Sequence, residues 1–599
     1  MPKKHRLRST RRLTGGLAAS FAGLALISSQ SAQAATESWT GATAGTWSLN
    51  TNWSGSATPD STYDLTILGP GNVAGALTIN VDAAASANSI AFTNTAATTL
   101  NNTTSGANQT LTIGTGGITT GTGAVTIGSA TANQNVNVAL GGSQTWNVGA
   151  GGLTVTNVVS DGGSAYSLTK SGAGKLTLSG ANTYSGGTTI GAGILSAGSG
   201  TALGTGSVTM QGGTLQVATV STVANNIVAT SSGGTITVGT GANITLTGTL
   251  SGSGNLTLGG SGTNNTSVQI TFAANNMTSG TITLGSGNGT PRIKNTASSS
   301  SAVAWVIQNG STEVSGTYNF GSFSGSGNFS AFNGNSGNIT YSVGALNTDA
   351  TYSGLLSSTG TNHSLSVTKV GTGTWTLSRA AGNTYTNAGT GAQATTTISA
   401  GKLQITNTSG SATGTSVIAV SGGTSATFGG TGIASGATTV TNGSRLAPGT
   451  ITTASNFGSA GTLTLSSASG LTLTNANLDF DLSTTFNGSN DKITLSGTNA
   501  PLSFSTLNFS FSGTTLDTST AYTLIATNGT GALTSGTLSA ITTDFSGITG
   551  GSYTATYSFT TGTGLQVTFT AVPEPHEFAI AIVALLGVMV FIRRRNQQV

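Results

Sequence analysis

Pairs of apolar residues split by one polar residue recur along most of the chain. Val208/Met210, Leu215/Val217, Ile236/Val238, Ile244/Leu246, Leu256/Leu258 and Ile282/Leu284 each bracket a threonine or glutamine. In a strand, such a pair sits on one face and the residue between them on the other. Gly-rich turns separate the pairs at irregular intervals of roughly 8 to 20 residues, the spacing of short strands joined by tight corners. Glycine suits corners that need positive φ. The pattern predicts an all-β chain wound as an elongated parallel β-helix or β-solenoid; a two-sheet sandwich array is the alternative. About 20 residues per coil and strands ~4.8 Å apart make a rod on the order of 120 Å.

One stretch of this pattern occurs twice. Leu168-Thr-Lys170-Ser-Gly172-Ala-Gly174-Lys175-Leu176-Thr177-Leu178 leads to Asn182-Thr183-Tyr184, Thr188-Thr189-Ile190 and Gly193-Ile194-Leu195. Val367-Thr-Lys369-Val-Gly371-Thr-Gly373-Thr-Trp375-Thr376-Leu377 leads to Asn383-Thr384-Tyr385, Thr396-Thr397-Ile398 and Gly401-Lys402-Leu403, with residues 388–394 interrupting. The period of two predicts Leu176, Leu178, Trp375 and Leu377 inside, and Thr177 and Thr376 outside. The order Lys-x-Gly-x-Gly, Asn-Thr-Tyr, Thr-x-Ile, Gly-x-Leu resembles the autotransporter-associated β-strand repeat. That resemblance implies a right-handed parallel β-helix or a related solenoid on an exported chain. Ala202-Leu203-Gly204, Gly212-Gly213-Thr-Leu215, Leu446-Ala447-Pro448-Gly449 and Gly461-Thr-Leu463 look like the segments usual downstream of such repeats. Autotransporters close with an outer-membrane barrel; here a different ending is expected.

Composition sharpens the picture. Of 599 residues, 91 are glycine, 5% are charged, 36% are hydrophobic and none is cysteine. The recurring Val, Ile and Leu separate this chain from a disordered Gly/Ser linker. The fold must rest on burial and ladder hydrogen bonds without disulfides. Nine of the 18 basic residues cluster at the two ends, leaving nine against twelve acids between them. That body lacks the basic face a nucleic-acid partner requires.

The ends carry signals. A basic stretch to Arg12, an apolar run Leu17 to Ile27 and Ala32-Gln33-Ala34 read as a secretory signal peptide cut by signal peptidase between Ala34 and Ala35. Arg11-Arg12 also fits a twin-arginine signal. At the other end, Phe578 to Ile592 is unbroken apolar sequence followed by Arg593, Arg594 and Arg595. As a helix it spans about 22 Å, reaching across a bilayer core with thinning and snorkelling. The arginines stay cytoplasmic. Val572, Pro573, Glu574 and Pro575 precede it. This order resembles the PEP-CTERM sorting signal of Gram-negative bacteria, which implies recognition of Pro573, Glu574 and Pro575 by an exosortase-type membrane transpeptidase. The expected organisation is a signal peptide at 1–34, an N-terminal cap and first coils at 35–160, and a solenoid with repeats 168–195 and 367–405 at 161–470. A C-terminal β region at 471–571 and a sorting signal at 572–599, with a single transmembrane helix at 578–592, complete it.

Candidate chemistry is sparse. Trp39, Trp47 and Trp53 read as a cap over the first coil, or else as a sugar-stacking platform. His363 is the one histidine between the signals and reads as a polar surface turn, which leaves little for Ser-His-Asp or His-metal sites. Asp479-Phe480-Asp481, with Asp491 nearby, places two carboxylates on one strand face about 7 Å apart. That suits either an acid pair of a polysaccharide lyase or hydrolase or a solvated strand face. The second reading is adopted. Asp60 and Asp64 read as isolated loop acids, and no Gly-rich stretch carries a phosphate-loop lysine. The expectation is a non-enzymatic structural or adhesive surface protein with no cofactor and no metal. It would be held in the envelope by its C-terminal helix before processing or released, and would meet exopolysaccharide or other cells. The alternatives are a β-helix polysaccharide lyase or hydrolase and a self-assembling surface fibre.

Overall fold

A computed structural model describes residues 34–573 apart from 42, 68–74, 104–106, 130–134, 220, 240–242, 261–267, 287–289, 333–336, 360–362, 387–392, 453 and 484–489, together with 583–586, 588–590 and 593. One coil is built from the strands Val208–Met210, Thr214–Val217 and Ser221–Val223, and the next from Ile227–Ala229, Gly234–Val238 and Ile244–Leu246. Each strand pairs in parallel with its counterpart one coil on. Val208 lies beside Ile227, Ile227 beside Leu250 and Leu250 beside Asn275, so successive coils take 19, 23 and 25 residues. The corners absorb the variation while the register of the strands persists. Parallel stacking of this kind is a solenoid and rules out the sandwich, whose sheets are antiparallel.

The period of two decides what faces inward. Ile127, Val155, Leu178, Ala197, Val217 and Val238 occupy one column through six coils, all buried. Leu176, Leu178, Trp375 and Leu377 are inside as expected, and Thr177 and Thr376 lie on the outer face. Long strands at Ser300–Thr312 and Gly316–Phe332 frame an aromatic core. There Trp305, Phe320, Phe323, Phe329 and Tyr341 meet mainly edge to face.

Both described ends of the stack turn back on themselves. At the start, Thr40 donates to the Asn52 carbonyl and Ser54 to that of Ser38, an antiparallel return beside the first rung. Trp39, Trp47 and Trp53 close over that rung with ring centroids 5.0–5.1 Å apart and exposures of 1–2%. No ring face is left for a sugar, so the cluster is a cap and not a stacking platform. At the far end, Gly564–Val572 lies antiparallel to Tyr522–Thr527, and Ser552–Thr560 lies antiparallel to Gly564–Val572.

Ala35 opens the first strand and Val572 ends the last. Ala32, Glu574, Pro575, Arg594 and Arg595 lie outside the described residues. Within the predicted span 578–592, residues 583–586 and 588–590 are helical and the rest lies outside the described set. Among the described residues, no helix is long and apolar enough to cross a membrane. His363 opens the strand His363–Lys369 rather than sitting in a turn.

Candidate functional site

The two repeats use their signature residues identically. Lys170 points inward from Leu168–Ser171, and its Nζ donates to the carbonyls of Ser171, Gly172 and Ala192 at 2.7, 2.8 and 3.1 Å. Lys369 does the same to Val370, Gly371 and Ala400 at 2.6, 2.9 and 3.4 Å. Each lysine is fully buried and fastens a glycine corner to the coil above it. Burial pushes both ammonium groups down to about 8. The glycine of Gly-x-Leu has no alternative: Gly401 has φ +63° and a Cβ there would stand 2.2 Å from the Gly371 carbonyl oxygen.

The asparagine of Asn-Thr-Tyr bridges three coils. Asn182 accepts from the Val159 amide at 2.7 Å and donates to the Ala202 carbonyl at 2.5 Å. Asn383 accepts from Leu356 at 2.9 Å and donates to Ala412 at 2.7 Å. The tyrosine hydroxyl then pairs with the first threonine of Thr-x-Ile: Tyr184 with Thr188 at 2.7 Å, and Tyr385 with Thr396 at 3.0 Å. The lysine, the asparagine, the tyrosine and the first threonine of Thr-x-Ile thus each satisfy a buried backbone or hydroxyl group.

The acids singled out from the sequence lie farther on. Asp479 and Asp481 do share the outer face of the strand Ala476–Asp481, but Asp479 is buried there and Asp481 only partly exposed. Residues 449–452 and 454–461 form a strap across that face. Gly429 and Ala447, which come after Gln404 in the same outward column, are both buried. Gln404 Oε1 accepts from the Ile451 amide at 3.1 Å, and Lys402 Nζ donates to the Thr452 carbonyl. Asp479 accepts from Asn456 Nδ2 at 2.7 Å, Asp481 from the Gly458 amide at 2.6 Å, and Asp491 from the Gly461 amide at 2.7 Å. Arg445 Nη1 holds both oxygens of Asp479, at 2.7 and 3.0 Å. Three acids that looked like a candidate acid pair and its neighbour are the fastenings of this strap. Asp479 and Asp491 are at most 1% exposed. Asp479 in particular is enclosed between Arg445 and Asn456.

Between the strap and the neighbouring strands runs a groove of about 340 Å³, lined by Asp349, Thr351, Thr376, Gln404, Ile451 and Thr452. A second recess of about 550 Å³ opens at the strap's far end beside Asp491, Lys492, Tyr522 and Gln566. Among the described residues, no group of three or more His, Cys, Asp or Glu side chains is placed to hold a metal ion. Asp60 caps its own turn through Thr62 at 2.8 Å, and Asp64 accepts from Asn88 and Ser89 at 2.7 Å.

Residues 168–197 and 367–405 match a family model described as the passenger-associated-transport-repeat. Over these two segments the chain is similar to that repeat family. Both matched segments lie on parallel coils of the solenoid, in keeping with a passenger-like β-repeat region. No curated protein matches the chain. The lysine fastening within the passenger repeats had no sequence cue, because a lysine ordinarily reads as solvated.

The buried ionisable groups of the passenger repeats and the strap set a pH dependence. Burial raises Asp491 from 3.8 to about 8, aided by the Asp481 charge and opposed by the two amides it accepts from. Between those values the folded chain holds a proton the unfolded chain has lost, so stability falls as pH rises from about 4 to about 8. Lys170 and Lys369 titrate near 8 in the fold and near 10.5 unfolded. Over that window the unfolded chain holds more protons, so stability rises with pH. The urea midpoint measured from pH 4 to 10 is expected to pass through a trough near pH 8. Asp491→Asn flattens the acid limb and Lys369→Met the alkaline one; a curve without a trough would mean that burial does not perturb these groups.

Proposed function

We propose that this chain is a structural or adhesive surface protein, exported through its N-terminal signal and sorted through its C-terminal one. The observation that carries the reading is the uncharged outer ladder. Thr78, Thr99, Thr126, Thr154 and Thr177 stand in one column on successive coils. Hydroxyls repeated at about 4.8 Å suit many weak contacts with a hydroxyl-rich polymer, whose summed strength grows with the number engaged. The polysaccharide-cleaving alternative is disfavoured by the sealed acids beneath the strap. The stacking-fibre alternative is disfavoured at the N-terminal end, where an antiparallel return occupies the first rung.

Support for the anchored precursor comes from Val583, Leu585, Leu586, Val588, Met589 and Val590, each more than half exposed in the isolated chain. Such a run needs lipid or another apolar cover. Mass spectrometry of native surface material is expected to show an N-terminus at Ala35. Pro573→Ala or Pro575→Ala is expected to leave export intact while precursor accumulates in the membrane. Retention of Arg12 in mature protein would overturn the leader assignment. Normal maturation of both proline variants would overturn the sorting assignment. Retention of the mature protein on exopolysaccharide from its own cells tests the adhesive role, which is lost if the solenoid passes through unretarded.

A further inference from the structure

The two ends of the stack are finished differently. The first rung has an antiparallel neighbour in the return through Asn52–Ser54. The strand Ser552–Thr560 is instead the outermost member of its six-stranded sheet, paired on one side only, to Gly564–Val572, among the described residues. It is nine residues long, without charge, proline or glycine. No charged residue occurs between Asp544 and Glu574. Exposed edges are normally blunted by lysine, proline or a bulge, because their unpaired amides and carbonyls recruit another strand. None of these devices is present.

The sequence of the edge says which strand fits. Tyr553, Ala555, Tyr557 and Phe559 share the half-buried face, and Ser552, Thr554, Thr556, Ser558 and Thr560 share the exposed one. Reversed against itself about Thr556, the strand matches apolar to apolar and hydroxyl to hydroxyl at every position. Tyr553 then faces the partner's Phe559, Ala555 the partner's Tyr557, and Thr554 the partner's Ser558. Aromatic and Thr–Ser cross-strand pairs are favourable, and no like charges meet. The aromatic side already packs on the end of the core, with Tyr557 stacked on Phe509 at 5.2 Å and Tyr553 beside Phe545 at 6.4 Å. A second copy would extend that row.

We propose that two copies of this chain join through Ser552–Thr560 in antiparallel register, with Thr556 on the two-fold axis. Such a contact uses the same surface on both copies and closes at two, so it makes a dimer and not a filament. It is independent of the adhesive reading.

The chain has no cysteine, so Thr556→Cys introduces a single thiol. Mild oxidation of the full chain in detergent is expected to link that variant covalently into a dimer, while Ser164→Cys, on an exposed loop, stays unlinked. Thr556→Lys and Thr556→Asp are each expected to weaken dimerisation at least tenfold by light scattering, with the thermal midpoint unchanged because Thr556 is exposed. An equimolar mixture of the two is expected to restore the dimer. A wild-type monomer at 100 µM (on the order of the loosest useful dimer) overturns the proposal. So does a dimer indifferent to both substitutions, or one that mixing fails to restore; those results assign the edge to the chain's own C-terminal segment or to another partner.

Discussion

Leu178→Asp is expected to open one coil and leave a distant one standing. Leu178 is wholly buried between Val155 and Ala197 in the inner column. A carboxylate there has no cation within the column, and burying it unpaired costs several kcal/mol, on the order of 4. In a compact domain that loss would spread through the whole core. Here each coil touches mainly its two neighbours, so the damage is confined. Limited proteolysis is expected to cut at 160–200 while the region beyond 367 resists as in the wild type. Cleavage throughout would mean that the stack unfolds as a single unit. Unaltered resistance would mean that Leu178 is not inside, and the register would have to be redrawn.

Asn383→Leu is expected to be nearly as costly, by a different route. The side chain is about the right size, so little packing is lost. What disappears is the acceptor for the Leu356 amide and the donor for the Ala412 carbonyl, both of them backbone groups in buried surroundings. Leaving two such groups unmade costs about 1–3 kcal/mol each. Asn383→Asp keeps the acceptor but turns an anion towards the Ala412 carbonyl, so it too destabilises. Hydrogen exchange at the Leu356 amide is expected to accelerate at least tenfold in both variants, and Asn182→Leu is expected to do the same at Val159. An unchanged exchange rate would show that the asparagine is not the link between coils.

The inner columns were legible because a one-residue slip would place every Leu, Ile and Val of a strand in water. The Trp cap and the two passenger repeats were legible for the same reason: their large apolar residues have nowhere else to go. The fastenings were not. Lys170 and Lys369 look like solvated residues in the sequence, and their three carbonyl partners come together only when two corners stack. The strap was hidden because it has no period. Asp479 lies 34 residues from Arg445 and 23 from Asn456, so nothing local marks its carboxylate as covered. The closest cue was Leu446-Ala447-Pro448-Gly449, where small residues leave room on the outer face for a crossing chain.

The direction of the ladder hydrogen bonds has a mechanical consequence. In this stack they run along the long axis, so a pull between the two ends loads the outermost rung first and parts its bonds one after another. Each coil occupies about 4.8 Å of the axis, yet some 20 residues of freed chain extend to roughly 70 Å. A load carried through such a rod would gain slack one coil at a time under strain, dissipating work at each step, and the coils would rewind when the load eased.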